Sequence, residues 1–221
     1  MLRHGTPMLT LTSNSNERGL RRGVGRRAFL RGGVALAATV VALPGAASAL
    51  NDTQARALIG KAVDDVNSAI DSGKTGPELY ALFENLFVKY ADVPTIARSA
   101  LGVASRSASP AQMAAFTTAF RGYISRKYGK RFREFIGARF EVAEARQVKT
   151  FYEVRTVAYL RGQSPFEVLW QVSDKSGKDL FFNIIIEGVN MLAAERTEIG
   201  AMLDARRGDL DALIADLKTA G

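Results

Sequence analysis

The chain has 221 residues, a net charge of +8, no cysteine and one histidine, His4. The lack of cysteine excludes disulfides, thiol catalysis and cysteine-ligated metal sites. The first 49 residues hold seven arginines and one acid, which leaves 23 basic and 21 acidic side chains in residues 50–221. The excess of positive charge therefore belongs mostly to the N-terminal segment, and it gives no argument for nucleic-acid binding.

The N-terminal segment has the order of parts found in an export signal. A basic lead-in ends in GRRAFLRGG at residues 25–33, and an uncharged apolar run follows at residues 33–43. This run is shorter than the roughly 20 residues that a transmembrane helix needs. Small residues at 47–49 form a signal-peptidase site. We predict a cleavable export signal over residues 1–49 and a single domain over residues 50–221.

The arginine pair in this segment resembles the twin-arginine export motif. Arg26 and Arg27 are followed by Phe29 and Leu30, as in that motif. Gly25 and Arg31 depart from it, because Ser or Thr is usual at the first position and Lys at the second. An ordinary Sec signal and an uncleaved anchor are the alternatives.

The first part of residues 50–221 shows helical periodicity. Apolar residues recur every three or four positions in four predicted helices, over residues 52–73, 77–89, 94–101 and 109–137. The last of these has the clearest start. Ser109 can cap it, Pro110 suits the first helical position, and Gln112 completes a capping box. Its apolar stripe continues to Phe135.

The pattern then changes to that of strands before it returns to helix. Residues rich in β-branched and aromatic side chains, separated by turn signals, predict strands over 140–148, 152–160, 166–173 and 180–189. Helices are predicted over 191–206 and 209–218. The short links favour antiparallel pairing. We therefore predict an α+β domain, with helices packed on one face of a curved antiparallel sheet of about four strands and an apolar pocket between them.

Candidate catalytic groups are scarce in residues 50–221. No histidine remains for a Ser-His-Asp triad, and zinc or redox-metal sites lack their usual ligands. The acid pairs Asp64/Asp65 and Glu141/Glu144 lie in solvent-facing patterns, and no motif places a Ser-Lys dyad. We predict that the protein is not an enzyme and that it has no catalytic residue, metal or cofactor.

Large apolar side chains are abundant, by contrast. They come from the second and fourth predicted helices and from the sheet. A helix-on-sheet core needs about this many, so packing explains them. A cavity between helices and sheet is the alternative, since ligand pockets are mostly apolar and each buried lipid methylene contributes about 0.8 kcal/mol. Composition alone leaves both interpretations open.

An ordered set of short motifs resembles the periplasmic phospholipid-binding proteins of the Mla lipid-transport pathway, also called the toluene-tolerance family. The matching positions run in order through nearly all of residues 50–221 and are Asp92, Ile96, Ala97, Leu101, Gly102, Ser109, Pro110, Gln112, Phe116, Phe120, Tyr128, Ile186, Glu187, Gly188, Val189, Arg196, Leu213, Ile214 and Leu217. The motifs are individually weak, and their order carries the resemblance.

Three segments depart from the family pattern. Val103, Ala104 and Ser105 follow Leu101-Gly102, where the family often has an aromatic residue. Residues 179–182 replace a Trp-Lys-Val, and Asn190 replaces a serine. Fewer large aromatics near a pocket would widen it or move its wall. The superfamily also includes members that occur with hopanoid pathways, so a fused-ring lipid is an alternative cargo.

The resemblance implies a lipid shuttle in the periplasm. The expected ligand is a phospholipid or a hopanoid-like lipid. The expected partners are an outer-membrane lipoprotein complex and an inner-membrane ABC transporter with an MCE-domain subunit. Together with the periodicity, it predicts these lipid-binding residues: Phe116, Phe120, Tyr123, Ile124, Tyr128, Trp170, Ile184, Ile186 and Tyr90. Among them, the tyrosines are expected as polar groups at the mouth of the pocket.

Two further alternatives remain at this point. One is a non-catalytic scaffold for envelope proteins, and the other is an enzyme acting on lipid. The cationic row Arg126, Lys127, Lys130 and Arg133 is either a docking surface for anionic lipid or an acidic partner, or a solvated helix face.

Overall fold

The computed structural model describes residues 49–221. The export signal predicted for residues 1–49 lies outside the described residues, apart from Ala49. Helices and strands in the described part are, in chain order, α1 (Asp52–Asp71), α2 (Gly76–Tyr90), α3 (Val93–Leu101), α4 (Pro110–Gly129), β1 (Arg139–Val148), β2 (Phe151–Tyr159), β3 (Phe166–Ser173), β4 (Leu180–Ile186), β5 (Val189–Asn190), α5 (Met191–Ala205) and α6 (Leu210–Leu217). Two short 3-10 helices, Gly102–Arg106 and Phe132–Phe135, follow α3 and α4.

The five strands form one antiparallel sheet in the order β1-β2-β3-β4-β5. Val154 of β2 lies opposite Trp170 of β3, and Trp170 lies opposite Ile184 of β4. Directly opposed residues share a sheet face, so these three side chains point the same way. They pack against the helices, and the predicted α+β class is confirmed.

The sheet has one strand more than predicted. The fourth predicted strand, residues 180–189, ends at Ile186, and the chain reverses at Glu187 and Gly188, which both have positive φ. Val189 and Asn190 then pair back with Ile186 and Ile185. A two-residue reversal of this kind requires left-handed backbone, which the strand pattern by itself did not distinguish from extended chain.

Helix α4 is shorter than predicted. It ends at Gly129. Phe132 and Phe135 lie in a separate 3-10 turn and do not continue the apolar stripe of α4. The last carbonyl groups are satisfied by the turn itself, as Lys130 N–H donates to Arg126 and Arg131 N–H donates to Tyr128. The chain thereby changes direction to enter β1.

The helices form two layers on the sheet. Helix α1 packs on β1 and β2, and α3 and α5 pack on β4. Helices α2 and α6 pack on α4. The approach of α2 to α4 is close, because a Cβ atom at Gly129 would lie 2.5 Å from Tyr80 Cδ1. The main core includes these large, fully buried side chains: Phe116, Phe120, Ile59, Ile199, Leu213, Leu217, Val154 and Val172.

Asn190, where the family pattern has serine, is the N-cap of α5. Its Oδ1 atom accepts a hydrogen bond of 3.0 Å from Ala193 N–H. Asparagine and serine cap helices about equally well. The departure at this position is therefore conservative in its physical role.

The capping box predicted for α4 is present. Gln112 N–H donates to Ser109 Oγ over 3.2 Å, and Ser109 N–H donates to Gln112 Oε1 over 3.1 Å. We expect Ser109→Ala to lower the free energy of unfolding by about 1 kcal/mol, the usual loss for an N-cap hydroxyl. Urea unfolding of the two proteins measures the difference. Ser107→Ala is the control, since Ser107 Oγ only donates to the carbonyl of Ala104 in an exposed turn. An equal loss in both variants would contradict the capping role.

Candidate functional site

A second apolar cluster lies at one end of the sheet, on the side that faces the helices. We call it the sheet-end cluster. Three of its members are buried, namely Ala158, Leu160 and Val168. The partly buried members packed on these three are Phe135, Ala138, Phe140, Phe166, Trp170, Ile184 and Ile186. Phe140, Trp170 and Ile184 also contact the main core, so the two clusters are continuous.

Trp170 of this cluster is held by a hydrogen bond and a ring contact. Its indole N–H donates to Thr156 Oγ1 over 3.1 Å. Its ring meets Phe181 edge to face, with 5.3 Å between the ring centres. The indole donor is therefore satisfied inside the protein, and the ring is a rigid apolar wall.

The large side chains of the sheet-end cluster keep part of their surface exposed, unlike the fully buried ones of the main core. Phe120 of the main core has no exposed surface, whereas Trp170, Ile184 and Ile186 each keep some. Apolar surface that stays accessible on a sheet face is typical of a ligand groove or an interface. The three sheet residues predicted to bind lipid therefore lie together, with Phe140 and Phe166 beside them.

The predicted lipid-binding residues of α4 lie elsewhere. Phe116 and Phe120 have no exposed surface and stack on each other with 5.7 Å between ring centres. Ile124 is partly buried and packs against the main core. We expect Phe116 and Phe120 to act mainly through packing, and their contact with a ligand stays a prediction.

Tyr90, predicted as a group at the mouth of the pocket, lies at the end of α2 and belongs to the main core. Its hydroxyl donates to Asp65 Oδ2 of α1 over 2.6 Å. Burial and this hydrogen bond to a carboxylate raise the pKa of Tyr90. The hydroxyl is thus engaged in joining α1 and α2.

The other two predicted tyrosines belong to a polar cluster between α4 and α5. The polar cluster consists of Tyr123, Lys127, Tyr128, Glu195 and Glu198. Lys127 Nζ donates to Glu195 Oε1 over 2.7 Å and to Glu198 Oε2 over 2.5 Å. Tyr128 donates to Glu195 Oε1, and Tyr123 donates to Glu198 Oε1. The lysine also lies over both tyrosine rings.

The pKa shifts in the polar cluster follow from burial and these contacts. Burial, followed by the hydrogen bonds to carboxylates, raises the pKa of both Tyr123 and Tyr128 above the ordinary value, so both stay neutral. Burial alone would lower the pKa of Lys127, but its hydrogen bonds to the two glutamates outweigh burial and raise it. Burial by itself would raise the pKa of Glu198. The hydrogen bonds from Lys127 and Tyr123 outweigh burial, so the pKa of Glu198 is lowered.

Three members of the cationic row, Arg126, Lys127 and Lys130, make contacts within the protein. Arg126 donates to the carbonyl groups of Ala220 over 2.8 Å and of Leu217 over 2.5 Å. Lys130 donates to the oxygen of Gly221. With Lys127 held by two glutamates, these cations fasten α5 and α6 to α4. The interpretation of this row as a solvated face is wrong for Arg126 and Lys127, which are partly buried and have partners far along the chain, whereas Lys130 is exposed.

A groove of about 490 Å³ runs along another side of α4. Its residues are Glu84, Ala114, Ala115, Thr118, Ala119, Gly122, Arg126 and Lys218. The lining of this groove combines small side chains with charged ones. The groove differs in lining and place from the sheet-end cluster.

Neither a metal-binding group of side chains nor a membrane-spanning helix is found in residues 49–221. No group of three or more side chains there is arranged to hold a metal ion. In the same residues, no helix combines the length and apolar character needed to cross a membrane.

Sequence reasoning missed several residues of the sheet-end cluster and of the polar cluster. Phe140 and Phe166 share the sheet face of Trp170, and strand alternation in β1 and β3 could have indicated them. Glu195 and Glu198 gave no such signal, because their partners lie on α4 and are brought near only by helix packing. Of residues 103–105, which stand where the family often has an aromatic residue, Val103 is 71% exposed, whereas Ala104 packs against the main core.

Comparisons with known proteins bear on this arrangement. Among solved structures, the phospholipid-binding protein from Ralstonia solanacearum, in complex with a phospholipid, is similar with a TM-score of 0.60 and 21% sequence identity. The alignment covers 74% of this chain and 98% of that chain. At this identity the likeness establishes the fold. The family model described as MlaC protein matches residues 60–219, most of the chain. The chain therefore belongs to the MlaC protein family.

Proposed function

We propose that this protein is a periplasmic lipid carrier that holds the acyl tails of a phospholipid against the sheet-end cluster. The observation that carries the proposal is the partly exposed apolar face formed by Trp170, Ile184 and Ile186 with Phe140 and Phe166. Some large side chains of the main core, such as Phe116 and Phe120, are by contrast fully closed off from solvent.

The family and the fold support the same function. The chain belongs to the MlaC family, and its fold matches that of a protein whose structure contains a phospholipid. The energetics agree, since each methylene removed from water contributes about 0.8 kcal/mol. A carrier must therefore cover most of both tails while the lipid is in water. No catalytic step is part of the proposal.

The proposed route runs between two membranes. The export signal over residues 1–49, twin-arginine in type, would deliver the protein to the periplasm. There it would exchange lipid with an outer-membrane lipoprotein complex and with the MCE-domain subunit of an inner-membrane ABC transporter. The support for this route is the family membership and the sequence resemblance.

Extraction of the purified full chain tests the proposal. Native mass spectrometry is expected to show about one lipid per chain, and organic extraction identifies that lipid. A hopanoid-type lipid would keep the carrier function and replace the cargo. Protein that is empty and refuses added phospholipid would contradict the carrier and favour an envelope scaffold. Turnover of the added lipid would indicate an enzyme.

Charge placed in the sheet-end cluster is expected to expel the lipid. Ile186→Asp puts a carboxylate against the proposed tail site, and burying it there is unfavourable by several kcal/mol. We expect lipid retention to fall at least about tenfold, the change that 1.4 kcal/mol produces. Ile185→Asp is the matched control, because this neighbour has the same side chain and a similar burial but faces the other side of the sheet. Equal lipid retention in the two variants would show that the tails bind elsewhere.

A further inference from the structure

Three exposed arginines lie around the segment that follows α3. Arg98 is in the last turn of α3, Arg106 ends the 3-10 helix after it, and Arg196 belongs to α5. All three side chains are exposed. Their guanidinium groups make no ion pair or hydrogen bond with the described residues. The cations of α4, by contrast, are paired with acids or carbonyl groups.

Gly102 joins these arginines into one surface. A Cβ atom at Gly102 would lie 3.0 Å from Arg196 Nε and 3.6 Å from Arg196 Cζ, so the guanidinium group lies directly against a residue without a side chain. Arg98 lies one helical turn before Gly102, and its carbonyl oxygen accepts the N–H of Gly102. Arg106 follows Gly102 by four residues, about 8 Å along a 3-10 helix. We call these three arginines, together with Val103, the arginine patch.

The charge of the arginine patch is not balanced nearby. Between Asp92 and Glu134 the sequence contains eight cations and no acid. Asp92 itself caps the opposite end of α3. On α5, Glu195 and Glu198 belong to the polar cluster that faces α4, and Asp204 lies two turns beyond the arginine, about 12 Å along the helix. Helix α4 and strand β4, which also pack on α3, contain no acid.

Val103 projects from the middle of the arginine patch. It is 71% exposed, more than any other large apolar side chain that the structure describes. One valine is too small an apolar centre for a standard protein interface, which buries about 800 Å² on each side around an apolar core. An anionic bilayer requires no such centre, because it attracts cations without shape complementarity and admits a small apolar tip among its headgroups. The arginine patch therefore fits a membrane surface better than a protein.

We propose that the arginine patch docks the protein on bilayers that contain anionic phospholipids. Val103 enters the headgroup region, and the three guanidinium groups bind lipid phosphates, whose oxygens match their planar set of donors. Docking would hold the carrier at the membrane where lipid is exchanged. The inference goes beyond the proposed function, because a protein without cargo should dock equally well.

Flotation with vesicles tests the docking. The purified full chain is mixed with vesicles of palmitoyl-oleoyl phosphatidylcholine, with or without palmitoyl-oleoyl phosphatidylglycerol. The bound fraction is measured as the lipid concentration is varied. We expect binding to require the anionic lipid and to weaken at high salt, which screens exposed charges.

A triple variant locates the binding surface. Arg98→Gln/Arg106→Gln/Arg196→Gln is expected to bind the anionic vesicles roughly a hundredfold more weakly, since each cation at such a surface contributes about fivefold. Val103→Asp gives a second measurement should the triple variant fail to fold. Its carboxylate opposes one of the cations, so we expect a loss of about fivefold or more.

The matched control removes three cations from other parts of the fold. Arg56→Gln/Lys149→Gln/Lys178→Gln changes α1 and two strand-connecting turns, where all three side chains are exposed and have no partner among the described residues. The net charge falls by the same amount in both triple variants, and both keep the arginines of residues 1–49. The control is expected to bind nearly as well as the unaltered protein.

Equal binding to vesicles with and without phosphatidylglycerol would overturn the docking and favour an acidic protein partner for the arginine patch. An equal loss in the two triple variants would overturn it as well, because net charge would then explain the binding. Lipid extraction from the same variants separates this inference from the carrier function. Empty protein that still docks through the patch would contradict the carrier function alone, whereas loaded protein that does not dock would contradict the docking alone.

Discussion

Replacing Phe120 by aspartate is expected to prevent the domain from folding. Phe120 lies at the centre of the main core, where its ring stacks on Phe116 and has no exposed surface. A carboxylate at this position would have no solvent to stabilise it, and burying an unpaired charge is unfavourable by many kcal/mol. The milder Phe120→Ala should lower the free energy of unfolding by about 3 to 5 kcal/mol.

Circular dichroism and urea unfolding measure both effects. Val103→Asp is the control, because Val103 is exposed and the same charge there should be harmless. A folded Phe120→Asp protein that has lost its lipid would show instead that Phe120 lines a cavity, as the periodicity of α4 also allowed. This experiment thus separates a packing role from a ligand contact at a residue that the sequence assigned to lipid binding.

Replacing Lys127 by alanine is expected to have the second-largest effect on stability. The change removes the cation that neutralises Glu195 and leaves a carboxylate with a 5% exposed side chain beside Glu198. Removing one partner of a buried ion pair is typically unfavourable by 3 to 5 kcal/mol. Because the Lys127 side chain is itself 26% exposed, we expect about 3 kcal/mol.

Urea unfolding at neutral pH checks this value against Lys89→Ala. Lys89 pairs with Asp65 and also lies over a tyrosine ring, but its side chain is 59% exposed, so its removal should change stability little. The double variant Lys127→Ala/Glu195→Ala is expected to recover part of the loss, since it removes the stranded charge. A similar effect of the two lysine substitutions would contradict the burial argument.

Local patterns predicted the elements of the fold well. The capping box at Ser109 and Gln112 is present, and β3 spans residues 166–173 as its alternation indicated. These signals are short-range, since a cap or an alternating strand involves residues that are close in sequence. The errors occurred where the chain changes direction. Glu187-Gly188 splits a predicted strand, and Lys130-Arg131 ends a predicted helix early.

The candidate site was predicted in part. Trp170, Ile184 and Ile186 were expected to line a pocket, and they lie together on the sheet with some surface exposed. Phe116 and Phe120 lie on the apolar stripe of a helix and were expected to line the pocket as well, yet they are closed off from solvent. Periodicity reports which way a side chain points relative to its own helix or strand. How completely another element covers that side chain depends on packing.

Sequence by itself determined the α+β class, the antiparallel sheet, the start of α4 and, through an ordered set of motifs, the family. It also indicated that residues 50–221 offer few groups for catalysis, since no histidine or cysteine occurs there. Tertiary structure alone decided which apolar residues stay accessible and which charges meet. Lys127 and Glu195 are 68 residues apart and have ordinary surface patterns, and they form a buried pair because α4 and α5 pack together. Burial and pairing of this kind are properties of contacts between distant segments, and no local pattern contains them.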